Sequence, residues 1–136
     1  MSAVEELGAH EATRTAREVL EREGVAAWLV GGTIRDALLG RELHDLDLAV
    51  AGDAEATARA LADAVGGPVF SLSEAFGAWR VLDRRRDVSY DLTPLQGDSI
   101  EEDLGQRELT LNAMALPLAG GQLLDPFGGR AAAPWR

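Results

Sequence analysis

Residues 31–50 read GGTIRDALLGRELHDLDLAV. Gly31 and Gly32 follow a short apolar run, 25-VAAWLV-30, and open a helical segment, Thr33 to Leu39, that Gly40 ends. The next stretch, 44-HDLDLAV-50, alternates as a strand does. Asp45 and Asp47 stand two apart in it, so both project to one side, with Cα atoms roughly 6.5–7 Å apart. Leu46 and Leu48 project to the other side, toward a core. Aspartate is a poor strand residue, and like charges held close repel. A cation between the two carboxylates removes the conflict. Their hard oxygens suit Mg²⁺, which keeps water ligands and shares substrate phosphates. An edge strand with two solvated acids gives the same pattern, so the pair alone leaves both readings open.

The glycine pair adds to the aspartates. A Gly-Gly step between strand and helix lets backbone N–H groups approach an anion. Arg35, one turn into the helix, is within reach of the same anion. A phosphate cradle followed within about fifteen residues by a carboxylate pair on the next strand is a nucleotide-plus-metal arrangement. A third carboxylate would complete a two-metal site, in which ions roughly 3.5–4 Å apart activate a hydroxyl and stabilise a leaving pyrophosphate. Asp91 is the best candidate. In 88-VSYDLTPL-95 it shares its parity with Ser89 and Thr93, while Val88, Tyr90 and Leu92 form the apolar side. Asp87 has the same parity but sits beside Arg84–Arg86, in a loop. Other phosphate and metal motifs fail: the glycines form neither GxxxxGK[ST] nor GxGxxG, and HEATR lacks the second histidine of HExxH.

With 136 residues the chain is sized for one domain around one core. No cysteine is present, which removes disulfides and thiolate metal sites and fits a reducing, cytoplasmic setting. No basic-then-apolar leader and no apolar run of membrane-spanning length occurs, so no membrane partner is expected. The net charge of −10 argues against a surface that binds nucleic acid as a whole, without forbidding a local basic groove. All 13 cations are arginine, the residue suited to forked phosphate contacts. Nothing in the sequence specifies an oligomeric state.

Outside the opening stretch, 9–23 reads as a surface helix stopped by Gly24, and 53–65 as a helix capped by Asp53 and ended by Gly66. Segments 68–73, 77–83 and 87–95 read as strands, the last two forming a hairpin with Arg84–Arg86 at its tip. Ser99 and Glu102 form a capping box ahead of a helix near 100–106. A further helix is expected over 108–115, and a small hairpin and turn over 117–129. His44 reads as a strand-end surface residue, Arg84–Arg86 as a solvated turn, and Trp28, Trp79 and Phe76 as core. The mixture of antiparallel strands and helices reads as α+β or mixed α/β rather than a doubly wound sheet.

These residues resemble a known family. The 31–50 stretch is similar to GGxVRDxLLGRxxxDxDxxx of the class II tRNA nucleotidyltransferase and poly(A) polymerase family, the CCA-adding enzymes. Residues 98–116, DSIEEDLGQRELTLNAMAL, resemble the family's acidic stretch followed by RRDFTINAMA, and 125-DPFGG-129 resembles its DPFGG turn. The resemblance implies a DNA polymerase beta-like palm, a mixed, mainly antiparallel sheet with packed helices. It implies transfer of a nucleotidyl group from ATP or CTP to an RNA (tRNA) 3′-hydroxyl, with two Mg²⁺ and release of pyrophosphate. It makes Asp45, Asp47 and Asp91 metal ligands and catalytic residues. Gly31, Gly32 and Arg35 would handle the triphosphate, and Arg107, Glu108 and Asn112 occupy the motif that meets ribose and phosphates.

Two departures stand out. RRD reads here as Gln106-Arg107-Glu108, with one guanidinium lost and a longer acid. The family's neck, body and tail segments, which select the base and hold tRNA, have no counterpart in 1–136, so the chain reads as a single head domain. An alternative is therefore a nucleotide-binding head that does not complete catalysis. A transferase acting on a protein or small molecule would use the same palm chemistry.

Overall fold

The computed structural model describes residues 2–107 and 112–132. Helix α1 (Ala3–Ala9) and helix α2 (Glu11–Glu23) come first. The expected helix over 9–23 is confirmed as α2, and α1 is an addition that its short length hid. Ser2 caps α1 by accepting from the Glu5 N–H, and His10 Nδ1 caps α2 by accepting from the Ala12 N–H. There follow β1 (Ala26–Val30), α3 (Gly32–Leu38), β2 (Asp45–Ala51), α4 (Ala54–Val65), β3 (Val69–Ser73), β4 (Ala78–Asp83), β5 (Val88–Pro94), α5 (Ile100–Gly105), β6 (Ala115–Pro117) and α6 (Gly129–Ala132).

The six strands form one sheet in the order β3-β4-β5-β2-β1-β6. Only β2 and β5 pair in parallel; the other neighbours are antiparallel. This is the expected α+β fold with a mixed, mainly antiparallel sheet. The expected helix over 108–115 is corrected at its end: Ala115 begins β6, whose place beside β1 satisfies its backbone better than a helix would. Residues 108–111 lie outside the described ones. Leu124 bridges back to Ala115, which makes the small hairpin expected beyond 117.

Period-two alternation decides what each face of the sheet does. On one face Leu29, Leu46, Leu48, Val50, Val81, Tyr90 and Leu92 pack against Ala16, Val19 and Leu20 of α2 and Ala58, Leu61 and Val65 of α4. Tyr90 is wholly buried and donates its hydroxyl to the Ala12 carbonyl at 3.0 Å, which ties β5 to α2. On the other face Val30, Ala49 and Ala115 meet Ile100 and Leu104 of α5. That cover stops short of β3, whose Phe70 and Leu72 are 40% and 43% exposed. Phe76 is exposed in the β3–β4 turn rather than part of the core, because the turn carries it past the sheet edge. Trp28 and Trp79 pack against the core and are partly buried, as expected of them in kind. Among the described residues, no helix is long and apolar enough to cross a membrane.

Candidate active site

The parallel pairing of β2 and β5 sets Asp47 beside Asp91 and Asp45 beside Ser89. Residues paired in register share a face, so the three expected carboxylates stand on one face, where α5 leaves the sheet uncovered. Asp45 is exposed, while Asp47 and Asp91 are partly buried. Burial, then the charges of Asp91 and Asp45, push the Asp47 carboxyl up from 3.8 to about 6, against the pull of Arg107 and Arg35. Asp91 is also opposite Arg80 across β4–β5. Arg80 Nε and Nη2 donate to its two oxygens at 2.7 and 2.9 Å. As they stand, no three acidic or histidine side chains among the described residues are gathered to hold a metal ion. The expected triad thus shares a face, with its third member engaged by an arginine.

The glycine pair lies over this row. Gly31 adopts φ 58° and ψ −130°, a left-handed conformation that side-chain-bearing residues rarely hold. A Cβ at Gly31 would come within 3.3 Å of Arg107 Nη1 and 3.7 Å of Asp47 Oδ2. One at Gly32 would come within 3.0 Å of Arg35 Nη2 and 3.5 Å of Asp47 Oδ2. Glycine keeps two guanidinium groups and a carboxylate close to bare backbone. Arg35 is steadied by Asp36 at 3.2 Å.

A cavity of about 280 Å³ brings together Gly31, Gly32, Asp47, Asp91, Arg107 and Asn112. Asn112 Oδ1 is buried in it without a hydrogen-bond partner among the described residues. Asp45 lines a neighbouring cavity of about 370 Å³ with His44, Arg84 and Ser89. The carboxylate row therefore lies between two open spaces. Glu108 lies outside the described residues. His44 faces Glu42 and Asp87 at 3.6 Å, as a surface residue does. Of the basic tip, Arg84 and Arg85 are exposed, whereas Arg86 is tied to buried Asp83 at 2.7 Å and to Glu11 at 2.9 Å.

Sequence reading missed three supporting residues. Thr33 is buried; its hydroxyl accepts from the Asp47 N–H at 2.6 Å and donates to the Asp45 carbonyl at 3.2 Å, which fastens α3 to β2. Asp103, 3% exposed, accepts Arg107 Nε and Nη2 on one oxygen at 3.1 and 3.0 Å and the Gln96 N–H on the other at 2.9 Å. Arg107 is held there with Nη1 toward Gly31. The i,i+4 spacing of Asp103 and Arg107 was the available signal. Arg80 is the third. Gln106, standing for the lost arginine, donates its amide to the Gln96 carbonyl at 2.9 Å and so braces the loop that Asp103 also holds.

The sequence matches the poly(A) polymerase head domain over residues 27–99 and 80–133. The chain belongs to that family. Its head is 44% identical over 108 residues to a CC-adding tRNA nucleotidyltransferase of Geobacter sulfurreducens, covering 79% of this chain and 25% of the relative. It is 46% identical over 104 residues to an A-adding tRNA nucleotidyltransferase of Deinococcus radiodurans, covering 76% and 23%. The chain thus spans about a quarter of the length of these relatives. Among solved structures, the Thermotoga maritima CCA-adding enzyme complexed with tRNA superposes with a TM-score of 0.80 at 26% identity, over 94% of this chain and 33% of that one. A tRNA nucleotidyltransferase complexed with a primer tRNA and an incoming ATP analogue gives 0.74 at 31%, over 85% and 35%. Relatives named for adding different nucleotides, CC and A, resemble this chain almost equally.

Proposed function

We propose that this chain is the catalytic head, a single domain over 1–136, of a template-independent nucleotidyltransferase. It transfers AMP or CMP from ATP or CTP to a tRNA 3′-hydroxyl and releases pyrophosphate. The observation that carries the reading is the row of Asp47 and Asp91 across β2–β5, with Asp45 on the same face, at the mouth of the glycine-edged cavity. The names of the relatives support the nucleotides and the acceptor. A cytoplasmic setting goes with a tRNA substrate.

The donor set fits Mg²⁺. Its oxygens are hard, and a cation would offset the burial and the neighbouring Asp91 and Asp45 charges that raise Asp47. Asp45 and Asp47 would hold it, with Asp91 as the third ligand. When bound, Mg²⁺ would make the acceptor hydroxyl more acidic and offset charge on the departing pyrophosphate. The protein's own groups do the rest. Backbone N–H groups at Gly31 and Gly32 and the guanidinium groups of Arg35 and Arg107 orient the triphosphate. Arg107, Glu108 and Asn112 occupy the motif that would meet ribose and phosphates. The acceptor oxygen then bonds to the α-phosphorus, the α–β anhydride bond breaks, and the hydroxyl proton is released.

The test is incorporation of labelled ATP and CTP, each separately, into tRNA lacking its 3′ end, with Mg²⁺ and an Asp45→Asn control. Product that vanishes in the control is the expected result; full activity of a folded Asp45→Asn protein would overturn the reading. One observation favours a second reading, a head that binds nucleotide without completing catalysis: Gln106 replaces a guanidinium and commits its amide to Gln96. Mg²⁺-dependent nucleotide binding with no product would select it.

A further inference from the structure

Asp91 is the third carboxylate of the row, yet Arg80 already engages both of its oxygens. The fork–fork geometry is the strong form of an arginine–carboxylate contact. It takes one lone pair on each oxygen and sets a positive charge against the carboxylate that a divalent ion would need. Cross-strand register enforces the contact, since Arg80 and Asp91 are paired residues of β4 and β5. The Arg80 side chain is 34% exposed and that of Asp91 18%. A pair at the water's edge is exchangeable in a way that a fully buried one is not. Arg80 also has a second place to rest. Its other cross-strand neighbour, Phe70, lies on the same face, 40% exposed, and an aromatic face attracts a guanidinium.

We propose that Arg80 is a resident competitor for the divalent cation at Asp91: it holds the third carboxylate, and a cation entering the row must displace it. Arg80 therefore weakens binding of free cation. Arriving triphosphate would offer its guanidinium new acceptors and so couple cation capture to nucleotide. The proposal rests on the reading of Asp45, Asp47 and Asp91 as the metal site.

The test is Mn²⁺ binding, followed by electron paramagnetic resonance, to the full chain stripped with chelator and without nucleotide. Arg80→Met is expected to bind Mn²⁺ roughly tenfold more tightly than the parent protein, the lower end of the worth of a charge-assisted fork at a partly exposed site. The gain should disappear when Asp91→Asn is added. Arg80→Lys, which keeps the charge without the fork, should fall between. Thermal melting checks that each variant is folded and should show a larger Mn²⁺-induced rise for Arg80→Met. Should Arg80→Met fail to fold, Arg80→Lys carries the comparison. Unchanged or weaker Mn²⁺ binding in a folded variant overturns the competition. Absence of Mn²⁺ binding in both the parent protein and folded Arg80→Met overturns the metal reading and this proposal with it. Parent protein that binds Mn²⁺ and loses it on Asp45→Asn, with Arg80→Met unchanged, overturns the competition alone.

Discussion

On β2, Leu46, Leu48 and Val50 are 0%, 1% and 0% exposed, while the aspartates between and before them look the other way, one exposed and one partly buried. The same strand thus serves two faces with opposite needs. The leucine face is closed by α2 and α4 and is held by apolar contact. The aspartate face is covered by α5 only at the β1–β2–β6 end, and charge decides what happens there. One residue along the chain separates a position that stabilises the fold from a position that burdens it.

Neighbouring substitutions should break the two faces in opposite directions. Asp47→Asn is expected to lower nucleotide transfer by about a thousandfold or more, the scale of losing preorganised charge stabilisation, while the protein stays folded. Leu48→Ala is expected to cost about 3 kcal/mol of stability, read from denaturant melts, because it leaves a cavity between sheet and helices. Equal destabilisation by both would mean that the faces are not distinct.

The pH dependence sharpens the contrast. With its carboxyl raised from 3.8 to about 6, folded Asp47 keeps a proton that the unfolded chain has lost. Stability therefore falls as pH rises through this window, and above about 6 the whole burden of the buried charge is present. Asp47→Asn removes it. The variant should melt several degrees higher than the parent protein near neutral pH, and the gap should close at about pH 4 and below. A variant that melts lower near neutral pH would show that the Asp47 charge is already compensated in the protein.

Smaller effects lie farther from the row. Asp103→Asn should lower kcat/KM by roughly tenfold, mostly through KM for the nucleotide, as Arg107 loses its charged partner. The effect should be absent from a Gln106→Ala protein, whose change loosens the loop without freeing Arg107; equal losses would assign Asp103 to the loop alone. Phe70→Ser, on the open edge of the site face, should shift stability by only about 0.5 kcal/mol. A large loss would mean that this edge belongs to the core.

How much could be read in advance follows the range of the interactions. The stretch from Gly31 to Val50 was legible because its signals are local: period two for the strand, glycine for the helix start, and parity for the shared side of Asp45 and Asp47. Asp91 was legible by parity alone. Its partner was not, since Arg80 meets it only through the β4–β5 register. Asp103 reads as an ordinary acid in the first turn of α5, and its grip on Arg107 and the Gln96 N–H appears only once the loop folds back. Thr33 likewise reads as a helix-start residue until α3 is set against β2.

By itself, the sequence determined which residues would share a side of each strand, where the glycines must bend the chain, and which family's motifs it carries. Backbone geometry fixes these things within a few residues. The tertiary structure decided that β2 would lie parallel to β5, strands separated by α4, β3 and β4. No local preference sets that pairing. It follows from burying both strands' apolar sides under α2 and α4 at once, and the same burial brings Asp47, Asp91 and Arg80 into one row.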